Sequence, residues 1–347
     1  MSVSLFSPFV CRGLRLKNRI VMAPMCMYTA AGDGLATDWH WVHYGARAIG
    51  GVGLIIQEAT AVEFRGRISE QDLGLWCDEQ IAPLARIVDF VHGQGAAMGI
   101  QLAHAGRKAW TRNKGRGPAA AVGPSPIPFA DDFPPPHELS SGELDGIVEA
   151  FAAAARRALA AGYDVIEIHS AHGYLLHSFV SPISNRRQDE YGGSIENRAR
   201  LLWRVAEAVR AVWPEDRPLF TRISATDWVD GGLRVEDWEV VVAGLKERGV
   251  DVIDCSSGGL VPDAVVPAGP GYQVAFAAHI RRACDIPTVA VGLITTPEQA
   301  ETIVRSGQAD LVALAREFLR SPQWPLAAAR ALGAETEWPR QYLRARL

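Results

Sequence analysis

Residues 165–182, VIEIHSAHGYLLHSFVSP, join a β-branched apolar run to three closely spaced histidines and a tyrosine. The apolar part has the length and composition of a buried strand, and the polar cluster marks its end. Runs of the same kind recur along the chain: RIVMAPM from Arg19, GLIIQEAT from Gly53, AMGIQLA from Ala97, DVIEIHS from Asp164, LFTRISA from Leu219, DVIDCSS from Asp251, TVAVGLI from Thr288 and ADLVALAR from Ala309. Between them lie amphipathic segments such as ENRARLLWRVAEAVRAVW (196–213), whose Leu201, Leu202, Val205, Val209 and Val212 fall at helical spacing. Eight alternating strand and helix units predict an α/β fold, a single (β/α)8 TIM barrel. A doubly wound sheet would carry G-x-G-x-x-G after its first strand. The nearest approach, GQGAAMG (93–99), has the wrong spacing and precedes a strand.

No shift of composition divides the chain, so residues 1–347 read as one domain. The longest irregular stretch, GRGPAAAVGPSPIPFADDFPPPHELS (Gly115 to Ser140), follows the third strand, on the side where barrel active sites form. It is either a substrate lid or a surface excursion.

The chain has 347 residues, 48% hydrophobic and 21% charged, with a net charge of -4. A core of ordinary size is within reach, and nothing in the charge suggests nucleic acid or an anionic membrane. The five cysteines (Cys11, Cys26, Cys77, Cys255, Cys284) are scattered, without a C-x-x-C pair for zinc, an iron–sulfur cluster or a redox disulfide. No leader-like start and no run of about 18 apolar residues is present, so a cytoplasmic location is expected.

Barrel enzymes place their chemistry at the carboxyl ends of the strands. Those ends carry Cys26 and Tyr28, then Ala59, then Gln101, His104 and Lys108, then HSAHGY, Arg222, Gly292 and Arg316. Paired acids, H-E-x-x-H and G-x-S-x-G are missing. The remainder is rich in hydrogen-bond donors. His169 and His172 could bind a metal together with His177, could polarise a carbonyl, or could satisfy bonds at a strand end. Gly292 and Arg316, at the ends of the last two strands, stand where barrels commonly hold a phosphate, although a turn glycine and a solvated cation would look the same. A phosphate site with donors aimed at one planar group suits flavin mononucleotide, with Arg222 near the N1 and C2 edge and Gln101 on the pyrimidine side. Arg222 could equally be a structural ion pair, and Gln101 part of a satisfied polar layer.

The stretches LFSPF (5–9), LKNRIVMAPMCMY (16–28), HYGARAIGGVGLII (43–56), QLAHAGRKA (101–109), IEIHSAHGYLLHSFVSPISNRRQDEYGGSIENRARL (166–201) and ADLVALARE (309–317) are specific when taken together. On them the chain resembles the old yellow enzyme family of FMN-dependent ene-reductases, in particular its thermophilic-like subclass. The resemblance implies FMN contacts from Ala23, Pro24, Met25, Cys26, Ala59, Gln101 and Arg222, and phosphate contacts near Gly292, Ala315 and Arg316. It implies that His169 and His172 hold the carbonyl oxygen of an activated alkene, that Tyr174 donates the proton, and that Tyr28 touches substrate. Cys26 would tune the flavin, NADPH or NADH would supply hydride, and no metal would be needed. His177 would be structural. The tail, about 335–347, resembles one in which an arginine, here Arg344, enters a neighbouring subunit of a homodimer or homotetramer. Ala23 and Ala315 depart from the serine and glycine common in relatives, a small change if the backbone N–H makes each contact.

Overall fold

In the computed structural model, which describes residues 3–109 and 121–346, eight parallel strands close into a barrel. They are β1 (Ile20–Met22), β2 (Leu54–Ala61), β3 (Ala97–Ala103), β4 (Val165–Ser170), β5 (Leu219–Ser224), β6 (Val252–Ser256), β7 (Thr288–Val291) and β8 (Leu311–Leu314). Each pairs with its sequence neighbours, and β8 closes on β1 with Val312 opposite Ile20. The expected TIM barrel is therefore the fold observed.

Helices α1 (Asp38–Ile49), α2 (Ile81–Gly93) and α3 (Ser141–Ala160) follow the first three strands. A short helix α4 (Leu175–Val180) precedes α5 (Ile195–Val212), and α6 (Asp237–Glu247), α7 (Val274–Cys284) and α8 (Pro297–Arg305) follow in turn. After β8 come a second short helix, α9 (Arg316–Arg320), and α10 (Trp324–Ala331). Local chemistry sets several starts. Ser140 and Glu143 form a reciprocal capping box on α3, and Thr296 with Pro297 opens α8.

Two packed regions result. Helices bury their apolar stripes on the outer face of the barrel. Inside, Val21, Leu54, Ile56, Val165, Phe220, Val252, Val289 and Leu311 form a floor, which the hairpin of Phe9–Cys11 and Leu14–Leu16 closes from below. Burial on both faces is why the strands read as continuous apolar runs.

Side chains alternate along a strand, so the inward positions above that floor follow directly. They are Gln101 on β3, Glu167 and His169 on β4, Arg222 on β5, and Asp254 and Ser256 on β6. On β2 the register shifts between Gln57 and Thr60. This bulge resets the alternation, and Ala59 and Ala61 line a small cavity beside Tyr174.

Of the Pro/Gly-rich stretch, residues 115–120 lie outside the described residues. Its remainder folds back on the β3 end: Val122–Gly123 pairs with His137–Glu138, and Arg107 donates to the carbonyl of Pro128 at 3.1 Å.

Candidate active site

His169 ends the inward face of β4 and is buried. The Ala171 backbone N–H donates to its Nδ1 at 3.2 Å, which places the ring proton on Nε2. His172 follows in the left-handed region at φ 59°, and Gly173 at φ 74° continues the turn. A side chain at 173 would put its Cβ 2.4 Å from the Gly259 carbonyl oxygen, so the close approach requires glycine. His172 Nε2 lies 2.8 Å from Ser256 Oγ, and its backbone N–H donates to Ser224 Oγ at 2.9 Å. Lys108 Nζ donates to the His172 and Gly259 carbonyls at 2.8 and 2.9 Å, tying the turn to the β3 end.

The three rings meet at the mouth. His169 and His172 have centroids 5.3 Å apart, and His169 and Tyr174 5.0 Å apart, both edge to face. Burial, with Arg222 and Lys108 nearby, pushes both imidazoles well below their ordinary range. They are neutral donors at neutral pH. Burial pushes the Tyr174 phenol well above its usual value, with Cys26 and Asp72 adding to the effect, so it keeps its proton.

His177 does not join this group. Its Nδ1 accepts the Gly173 N–H at 2.9 Å, and its Nε2 lies 3.0 Å from Asp227 Oδ1. Among the described residues, no three His, Cys, Asp or Glu side chains stand together as a metal set. His104 also turns away, pairing with Glu63 at 2.8 Å.

Cys26, Tyr28 and Tyr174 share one apolar cluster with Ile68, Ala105, Ala109 and Ala121. The turn that carries the thiol is anchored by Glu58, which accepts the Met27 N–H at 2.7 Å and the Tyr44 hydroxyl at 3.0 Å. Glu58 is buried, which pushes its carboxyl up to about 7. Tyr28 sits at φ 54°, and burial pushes its phenol up. Pro24, Met25 and Cys26 are half-buried on this same turn.

On the opposite side of the mouth lies a cavity of about 160 Å³ lined by Arg222, Ser256, Gly292, Ala315 and Arg316, and also by Arg320. Gly292 has φ 124°, and a Cβ there would meet Gln273 Nε2 at 2.8 Å. Ala315 is the N-cap of α9, whose first residues, Arg316 and Glu317, line the cavity. Ala23 behaves otherwise than a backbone-donor role requires, because its N–H is already given to the Leu314 carbonyl at 2.9 Å, closing β8 on β1. Gln101 donates one amide N–H to Glu167 Oε1 at 2.8 Å, and Arg222 Nε lies 3.6 Å from Asp254 Oδ2. Both are thus members of a buried polar layer and residues of the mouth. The buried Arg222 Nε has no hydrogen-bond partner, a donor set suited to an acceptor-rich ring edge beside a phosphate-sized cavity.

Arg344 lies apart. It sits in an exposed 3-10 turn, Arg340–Ala345, and the preceding residues 337–341 line a cavity with Lys17, Gly51 and Gly95, just before the amino ends of β1, β2 and β3. That is the end of the barrel opposite the mouth.

Sequence reasoning missed Ser256, Ser224, Asp72, Glu167, Asp254 and Arg320. Strand alternation was a usable signal for Glu167, Asp254 and Ser256, each two residues from an identified or inward position.

Neutral donors beside an arginine-lined cavity suit one class, a (β/α)8 oxidoreductase that works through a bound phosphorylated cofactor. The profile of the NADH:flavin oxidoreductase / NADH oxidase family matches residues 4–335, and the chain belongs to that family. The NADPH dehydrogenase of Geobacillus thermodenitrificans (strain NG80-2) is 55% identical over 345 residues, covering 99% of each chain. Morphinone reductase has a TM-score of 0.80 at 29% identity, covering 98% of this chain and 92% of its own. The old yellow enzyme homologue of Zymomonas mobilis has a TM-score of 0.80 at 29% identity, covering 97% and 94%. The expected FMN cofactor and NAD(P)H-dependent oxidoreductase class stand with this membership. No helix of the described residues is long and apolar enough to cross a membrane.

Proposed function

We propose that the protein is an ene-reductase, an FMN-dependent NAD(P)H:acceptor oxidoreductase that reduces the C=C bond of α,β-unsaturated carbonyl compounds. The observation that carries this reading is the meeting of two neutral imidazoles and one protonated phenol at the barrel mouth. Bound FMN would supply the hydride chemistry that links NADPH or NADH to the alkene β-carbon.

The chain's own residues do the rest. His169, through Nε2–H, and His172, through Nδ1–H, donate to the substrate carbonyl oxygen as negative charge builds there. In this reading Ser256 Oγ, 2.8 Å from His172 Nε2, is the donor, which leaves the second ring proton on Nδ1. Tyr174 then gives its proton to the α-carbon.

Ala23, Pro24, Met25, Ala59 and Gln101 would contact the flavin, with Arg222 stabilising its anionic reduced form, and Gly292, Ala315 and Arg316 would hold its phosphate. Cys26 would tune the cofactor, and Tyr28 would touch substrate. Arg344, at the far end of its own barrel, would complete the site of a second copy in a homodimer or homotetramer. The chain is read as one FMN-binding domain with a tail at about 335–347, working on small molecules in the cytoplasm.

The test is spectroscopic. Purified protein should show a flavin band that bleaches anaerobically with NADPH and returns on adding cyclohexenone, with cyclohexanone as product. A colourless protein, or a bleached one that cyclohexenone leaves reduced, would overturn the reading.

A further inference from the structure

Two carboxyls stand inside the barrel where a core would ordinarily be apolar. Glu167 lies two residues below His169 on β4, and Asp254 two residues below Ser256 on β6. Both are almost fully buried. Each keeps one oxygen without a donor, Oε2 of Glu167 and Oδ1 of Asp254. The other oxygens face the mouth residues: Glu167 Oε1 accepts from Gln101, and Asp254 Oδ2 lies 3.6 Å from Arg222 Nε.

Two buried carboxylates beside a single guanidinium would leave a net charge in the barrel, and a proton shared between them removes it. Burial pushes both carboxyls up, and Glu167 is raised further by Asp254, with which it is within hydrogen-bonding reach once protonated. The groups facing the pair are Gln101 on β3, His169 on β4 and Arg222 on β5; β7 presents Val289 opposite Asp254, and the adjacent Cys255 points outward from β6. His169 and Cys255 are held neutral by burial. Among the described residues, Arg222 is therefore the one cation that the pair balances.

We propose that Glu167 and Asp254 are positioning residues that hold one proton between them, and that their combined charge, acting through Arg222 and Gln101, sets the reduction potential of the bound flavin and its pH dependence. The proposal rests on the FMN reading given above. Two-electron reduction to the anionic hydroquinone takes up one proton on the flavin and adds one negative charge near Arg222. That charge raises the proton affinity of the pair. Where the oxidised enzyme has a deprotonated pair, reduction draws a second proton from solvent onto Glu167.

The variants then have distinct effects. Replacing both carboxyls, Asp254→Asn with Glu167→Gln, leaves the Arg222 charge unopposed, which favours the reduced flavin. Glu167→Gln keeps the single Asp254 charge and removes the titrating proton.

The experiment is the midpoint potential of the bound FMN against pH, measured in the holoenzyme by anaerobic titration with a reference dye. The wild-type protein should take up one proton per two electrons near neutrality and approach two at alkaline pH. Asp254→Asn with Glu167→Gln should shift the two-electron equilibrium about tenfold toward the reduced flavin, about 30 mV. Glu167→Gln should keep the neutral-pH potential and lose the alkaline steepening. A wild-type slope of one proton per two electrons at every pH overturns the proposal without reference to any variant, as does the double variant at the wild-type potential. Failure of the protein to bind FMN is a separate result that removes the underlying reading as well.

Discussion

His169 and Tyr174 stand edge to face with their ring centroids 5.0 Å apart, although one ends a strand and the other caps the short helix that follows. The left-handed turn through His172 and Gly173 makes this possible, because it reverses the chain within two residues. Donor and acid are thereby fixed to one rigid corner of the barrel mouth, which favours a single substrate orientation.

The turn itself is the weakest point to substitution. Gly173→Ala would force a Cβ against the Gly259 carbonyl in a backbone region unfavourable to alanine. A loss of at least about 2 kcal/mol in stability is expected from chemical denaturation. A variant as stable as the wild type would show that the β4 and β6 loops do not pack as described.

Ser256 orients His172 from another strand. Ser256→Ala should lower kcat/KM for cyclohexenone about tenfold, the effect of one lost hydrogen bond of about 1 kcal/mol or slightly more. Unchanged kcat/KM would show that the His172 tautomer needs no such partner.

Arg316 borders the cavity assigned to phosphate. Arg316→Ala should weaken FMN about tenfold or more, as measured by fluorescence titration of the apoprotein, and leave riboflavin affinity nearly unchanged. Equal losses for both ligands would place the phosphate elsewhere.

Glu58 links stability to pH. Its folded value of about 7 lies above its ordinary 4.5, so the native state holds this proton more tightly than the unfolded chain. The stability this contributes is complete below about 4.5 and is lost as pH rises through about 7. Glu58→Gln should flatten the slope of unfolding free energy against pH between 5 and 7. A slope identical to wild type would assign the pH dependence to other groups.

The eight strands were legible because each is buried on both faces and so appears as an unbroken β-branched run. AMGIQLA coincides with β3 from Ala97 to Ala103, whereas RIVMAPM overshoots β1, which ends at Met22 where the chain turns toward Cys26. The histidines, Tyr174 and the arginines were legible as a donor-rich set at strand ends. Their partners were not. Ser256 meets His172, and Asp254 meets Arg222, through barrel register across long separations in sequence. That the Ala23 N–H is committed to Leu314 by barrel closure was likewise invisible along the chain. The role of Arg344 was drawn from the tail's resemblance, and its place at the far end of its own barrel emerged only from the fold.

The central claim is that Tyr174 supplies the proton to the alkene and is not required for reduction of the flavin. Stopped-flow kinetics of Tyr174→Phe separate the two steps. The account predicts flavin reduction by NADPH within about threefold of wild type and reoxidation by cyclohexenone slowed about a hundredfold or more, within the range that general acids contribute. Reoxidation at the wild-type rate would contradict it.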